Sequence, residues 1–189
     1  GFIIFTLLTG ITRTAAQVFL DNAASITSNR QPLSALVLQG VAQEGLAFAH
    51  NVLILVGLAA FGLLSITPWS LLSLVALVLV AVNGVALGLW LGPTVARFRD
   101  VGPLVVSVLQ MMMFFTPIFW EVASLTSGAR QALLTWNPFY YLLDCFRAPL
   151  LGDAPWGSFV GAAVVTLINV VLGAVVFVRT RSRIPYWVS

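Results

Sequence analysis

An arginine, a glutamine and an aspartate stand inside an otherwise apolar stretch near the start of the chain. Thr6, Gly10, Arg13, Gln17 and Asp21 recur at spacings of three or four within Phe2–Ala24, which sets them on one helical face. Phe5, Leu8, Ala15, Phe19 and Ala23 fall largely elsewhere. A guanidinium and a carboxylate are costly against lipid, so such a face must look into protein or water. The chemistry on offer is hydrogen bonding and charge recognition along a pore, with Thr6, Arg13, Gln17 and Asp21 as the substrate path. A buried polar packing seam, or a helix end outside the bilayer, would give the same spacing.

A second group is the charged hinge Arg97-Phe98-Arg99-Asp100. It separates two apolar stretches, the second of which is broken by Thr116-Pro117. The arginines follow the C-terminal end of one helix, where the helix dipole favours cations. Asp100 is placed to cap the next helix. A third group is Ser28-Asn29-Arg30-Gln31, ahead of Pro32, which suits a first helical turn.

Other chemistries are excluded or weak. Every basic residue is arginine, which rules out a Walker A loop within these residues, because its lysine must reach the phosphates. One histidine and one cysteine leave no Cys/His metal cluster and no internal disulfide. His50 beside Asn51 reads as a hydrogen-bonded packing residue, and Met111-Met112-Met113 as adaptable packing surface. The net charge of +3 comes from scattered arginines rather than a nucleic-acid patch. The chain opens at Gly1 inside an apolar run without a charged leader, so we expect a missing N-terminal piece rather than a signal peptide.

These residues must be positioned by membrane helices. Hydrophobic residues make up 60% of the chain and charged ones 8%, against roughly 25% charged in a soluble domain. The apolar runs do not alternate as barrel strands would. The expected fold is all-α and integral to the membrane, a single transmembrane domain over 1–189. Five spans are predicted, at about 2–24, 47–66, 69–91, 103–120 and 159–178. Between the first two, 25–44 reads as a short amphipathic helix at the membrane surface, with Leu33, Leu36, Val37 and Gly40 on its apolar face. The third span carries Gly84 and Gly88 on a strip of small residues, suited to a subunit contact or to packing within one bundle. Asn83, in mid-span, is expected to bond across helices.

The segment 121–158 holds apolar pieces too short to cross, read as external interfacial helices. Trp120, Trp136, Tyr140, Tyr141 and Trp156 fit an aromatic belt or a sugar-stacking platform at a pore mouth. Placing the 25–44 loop in the cytoplasm puts Arg30, Arg97, Arg99, Arg179, Arg181 and Arg183 inside and leaves Arg130 and Arg147 outside, as positive-inside bias requires.

The ordered motifs SNRQPLS, FAHN, RFRD, TPIFW, NPFYYLLDCFRAPLLG and RIPYW together resemble the membrane subunit of type-2 ABC transporters, most closely the polysaccharide and O-antigen exporters. The resemblance covers nearly the whole chain. It implies a six-helix homodimeric permease in the cytoplasmic membrane of a bacterium or archaeon, without its own catalytic site or cofactor. ATP and Mg would be bound by two copies of a separate ATPase subunit. The loop matching 25–44 would be the coupling helix, through Ser28, Asn29, Arg30 and Gln31, with Arg97, Arg99 and Asp100 on the same side. The cargo would be a lipid-linked glycan passing between the subunits. Alternatives are a same-fold exporter of a drug or lipid, and a channel or scaffold not coupled to ATP.

Overall fold

The computed structural model describes residues 1–29, 31–61, 68–118, 128 and 134–188. Among them are eight α-helices: α1 (Phe2–Asp21), α2 (Ala23–Asn29), α3 (Leu33–Ala60), α4 (Leu72–Arg97), α5 (Val101–Phe115), α6 (Pro138–Leu150), α7 (Trp156–Thr180) and α8 (Ile184–Val188). A 3-10 turn, Pro68–Leu71, leads into α4.

Among the described residues, three stretches are long and apolar enough to cross a bilayer: Phe2–Asp21, Pro68–Arg97 and Trp156–Thr180. The chain is a multi-pass membrane protein. The five-span expectation is overturned, for two physical reasons. The first concerns 25–44 and 47–66, which are not a surface helix followed by a span. Helix α3 starts at Leu33 and continues without a break for 28 residues. No proline interrupts it, so the polar Gln43, Glu44, His50 and Asn51 sit within the helix instead of ending it. Leu36 and Val37, the expected membrane-surface face, are buried inside the protein. The separate coupling helix is therefore absent in the expected form.

The second reason concerns α5, which has 15 residues, or about 22 Å against the roughly 30 Å of a hydrocarbon core. Thr116 turns extended ahead of Pro117 and stops it. Asp100 occupies the N-cap position of α5 without a side-chain cap bond, so its expected capping role is not realised either.

Helix α4 is the centre of the bundle, and its small residues explain how. A Cβ on Gly84 would meet Ile11 Cγ2 at 2.5 Å, one on Gly88 would meet Val37 Cγ1 at 2.5 Å, and one on Gly92 would meet the Phe19 ring and Val18 at 3.0 Å. The strip thus receives α1 and α3 within one bundle. Helix α7 seats on another side of α4, where a Cβ on Gly173 would lie 2.8 Å from the Ala86 carbonyl oxygen. Asn169 Nδ2 donates to Asn83 Oδ1 (2.9 Å), and Trp90 Nε1 donates to Asn169 Oδ1 (3.0 Å). This cross-helix network gives each polar side chain a partner where water is scarce.

Two apolar clusters occupy opposite ends. One joins Ile4, Leu7, Leu8, Val80, Leu143 and Cys145. The other joins Val18, Phe19, Ile26, Leu36, Ile184 and Val188, so α8 folds back onto α1, α2 and α4. The second end carries the exposed Arg97, Arg99, Arg179, Arg181 and Arg183, and is called here the arginine end.

Candidate functional site: a polar groove on the first helix

Helix α1 buries Leu8, Ile11, Ala15 and Phe19. That fixes its rotation and turns Thr6, Thr9 and Arg13 toward a groove of about 430 Å³ between α1, α3 and α5. The remaining walls are Phe5, Gly10, Glu44, Val106, Leu109, Gln110 and Met113. Arg13 is exposed on the α1 wall. Glu44 reaches in from α3 and Gln110 from α5. The threonines bond back to their own helix, Thr6 to the Phe2 carbonyl (3.0 Å) and Thr9 to that of Phe5 (2.9 Å). They add polarity while satisfying their donors locally.

Glu44 is the residue that sequence reasoning missed. Thr14 Oγ1 donates to its Oε1 at 2.7 Å. A Cβ on Gly10 would run into Oε2 of the same carboxylate; glycine at that position is what lets the acid lie flat against α1. The signal in the sequence was a glycine within an otherwise polar stripe, and it did not identify a partner. Arg13 and Glu44 line the same groove, and no salt bridge joins them among the described residues.

Of the four expected path residues, Thr6 and Arg13 meet in the groove. Gln17 and Asp21 lie one and two turns further along α1 and do not line it. Asp21 is exposed at the helix end.

At the arginine end, Ser28 is exposed and its hydroxyl donates to the Ala24 carbonyl at 2.6 Å. Gln31, Arg97, Arg99 and Asp100 are exposed too. Asn29 closes α2, and Arg30 lies outside the described residues. The Arg97 guanidinium stands 4.9 Å from the Phe98 ring centroid and 5.7 Å from that of Trp187. The hinge before α5 thus touches the C-terminal helix, a relation absent from the sequence reading.

At the opposite end, the TPI and NPF motifs come together. Asn137 caps α6 by accepting from the Phe139 and Tyr140 amides (3.0 and 3.3 Å). Its Nδ2 donates to Thr116 Oγ1 (3.0 Å) and to the Phe115 carbonyl (3.3 Å). Arg147 Nη1 donates to the Pro117 carbonyl at 3.3 Å. Trp136 is 86% exposed, while Tyr140 and Tyr141 pack edge to face at 5.6 Å. Trp120 lies outside the described residues.

No group of three or more His, Cys, Asp or Glu that could hold a metal occurs among the described residues. The arrangement sets polar groups from three helices around one groove in a largely apolar bundle. No curated protein matches the chain. Residues 1–151 of the 189 match the ABC-2 type transporter membrane family, and the chain belongs to that family.

Proposed function

We propose that the chain is the membrane subunit of an ATP-driven exporter that moves a lipid-linked polysaccharide across the cytoplasmic membrane of a bacterium or archaeon. The observation that carries this reading is the polar groove. Thr6, Thr9, Arg13, Glu44 and Gln110 line one cavity in a bundle that is largely apolar. A hydroxyl-rich chain exchanges hydrogen bonds with such a lining as it advances, whereas a hydrocarbon cargo leaves these groups unpaired.

In this reading two copies of the chain assemble, with two copies of a separate ATPase that binds ATP and Mg. The ATPase docks at the arginine end through Ser28, Asn29, Arg30, Gln31, Arg97, Arg99 and Asp100. Its two nucleotide states bias the groove between two arrangements of α1 and α5. Trp136, Tyr140 and Tyr141, with Trp120, form the external mouth, where aromatic faces stack on sugar rings. The subunit itself breaks no covalent bond.

A second reading has one specific observation behind it. A groove of about 530 Å³ between α3, α4 and α7 is lined only by Leu, Val and Ala, from Leu38 and Val41 to Val170 and Ala174. A lipid or drug exporter would use that surface, and Arg13→Ala would then leave transport nearly unchanged.

The test is co-purification of the full-length permease with its candidate ATPase. A complex with two copies of each chain, weakened by alanine at Ser28–Gln31, supports the reading. Deletion should remove the surface polysaccharide. Failure to recover any ATPase under conditions that keep the permease intact would sink it in favour of a channel or scaffold.

A further inference from the structure

We infer that Glu44 is the acid that reads hydroxyl groups on the cargo; this rests on the export reading above and assigns a role to a residue that α3 contributes beside the α1 stripe. Glu44 is the one acidic side chain that lines the groove among the described residues. A carboxylate offers about four acceptor sites, and Thr14 Oγ1 occupies one of them at 2.7 Å. The other oxygen lies over Gly10, where an added Cβ would collide with it. The side chain is thus anchored by one hydrogen bond and half-buried, with acceptor capacity left.

A carboxylate among membrane helices is expensive unless it is paired or used. One threonine hydroxyl is a poor return for that cost, and no arginine among the described residues closes on it. Two neighbouring hydroxyls of a sugar are a natural partner for the remaining lone pairs, through charge-assisted hydrogen bonds. The other donors lining the groove are Arg13 on α1 and Gln110 on α5. The groove therefore presents an acceptor and donors along one path, which fits a chain of hydroxyl groups and suits neither a hydrocarbon nor a strongly anionic chain.

The experiment uses the full-length permease with its ATPase, in cells, and a cysteine in place of Gln110 labelled with N-ethylmaleimide. Labelling is compared between cells making the lipid-linked glycan and cells lacking the first sugar transfer to the lipid carrier. Cargo in the groove should slow labelling about tenfold when Glu44 is present, the scale of one charge-assisted hydrogen bond. With Glu44→Gln, or with Thr14→Val, which releases the carboxylate, protection should fall below about twofold; Glu44→Asp should keep part of it. Undiminished protection in Glu44→Gln overturns the inference and leaves the export reading standing. Absence of protection even with Glu44 present overturns the export reading itself. If Glu44→Gln changes labelling equally in cargo-free cells and also loses the ATPase, Glu44 is a packing residue and the inference fails.

Discussion

Asn137 Nδ2 lies 3.0 Å from Thr116 Oγ1, and Thr116 is fully buried at the point where α5 ends. The contact spans 21 positions of the chain and ties the end of one helix to the start of another. Asn137 serves both ends at once, because its Oδ1 accepts from the first turn of α6.

Removing that side chain has a specific cost. Asn137→Ala loses a helix cap, about 0.5–2 kcal/mol, and leaves a buried hydroxyl short of a partner, about 1–3 kcal/mol. Thr116→Val removes one bond and leaves the cap in place. The expected order of melting temperature in detergent is native, then Thr116→Val, then Asn137→Ala. Equal losses for the two variants would mean that the cap contributes nothing.

The glycines divide into two kinds, and alanine separates them. At Gly173 a Cβ would meet the Ala86 carbonyl oxygen at 2.8 Å, and backbone does not move aside cheaply. Gly173→Ala should cost about 1–3 kcal/mol by overpacking, or some 2–4 °C for each kcal/mol in a chain this size. At Gly45, inside α3, nothing lies within 4 Å of the added Cβ. Gly45→Ala should be neutral or raise stability by up to about 1 kcal/mol through helix propensity. Thermal unfolding of the purified permease checks both signs.

Cys145 provides a pH-dependent test outside the spanning helices. Burial, with the Asp144 charge adding to it, pushes its thiol up to about 12 from an ordinary value of 9.0. The folded state therefore holds this proton more tightly than the unfolded chain does. Its contribution to stability is complete below 9.0 and is lost as pH rises toward 12. At neutral pH the thiol is buried and uncharged, hence inert. Maleimide should not label Cys145 in the folded protein between pH 7 and 9, and should label it fully after denaturation. Rapid labelling of the native protein would contradict the packing of α6.

Helix α1 and its polar face were legible in the sequence because both rest on local spacing. The structure brings Thr6 and Arg13 of that face into one groove and leaves Gln17 and Asp21 outside it. A break at Thr116-Pro117 was legible from proline chemistry, though the span was expected to run to about 120 and α5 ends at Phe115. Helix α3 was not. Gln43-Glu44 reads as a membrane boundary when polarity is scored along the chain, yet no proline interrupts the backbone there and the helix runs on. The Thr14–Glu44 contact, 30 positions apart, leaves no local trace beyond Gly10. The fold of α8 onto Arg97 is likewise a tertiary fact: five residues have too little periodicity to reveal a docking face.

That docking face gives the last prediction. Ile184 is fully buried and Val188 nearly so, both against α1, α2 and α4. Arg97 adds its guanidinium over the Trp187 ring, a contact of about 0.5–1 kcal/mol when exposed. The apolar anchor outweighs it, since burying an Ile side chain contributes about 1.5–3 kcal/mol. Ile184→Asp should therefore free the tail and speed tryptic cleavage after Arg181 and Arg183 in the purified protein, while Arg97→Ala should speed it only slightly. If Arg97→Ala frees the tail as much as Ile184→Asp, the cation over the ring, not the apolar seat, holds α8 in place. The hinge before α5 would then move only with the tail.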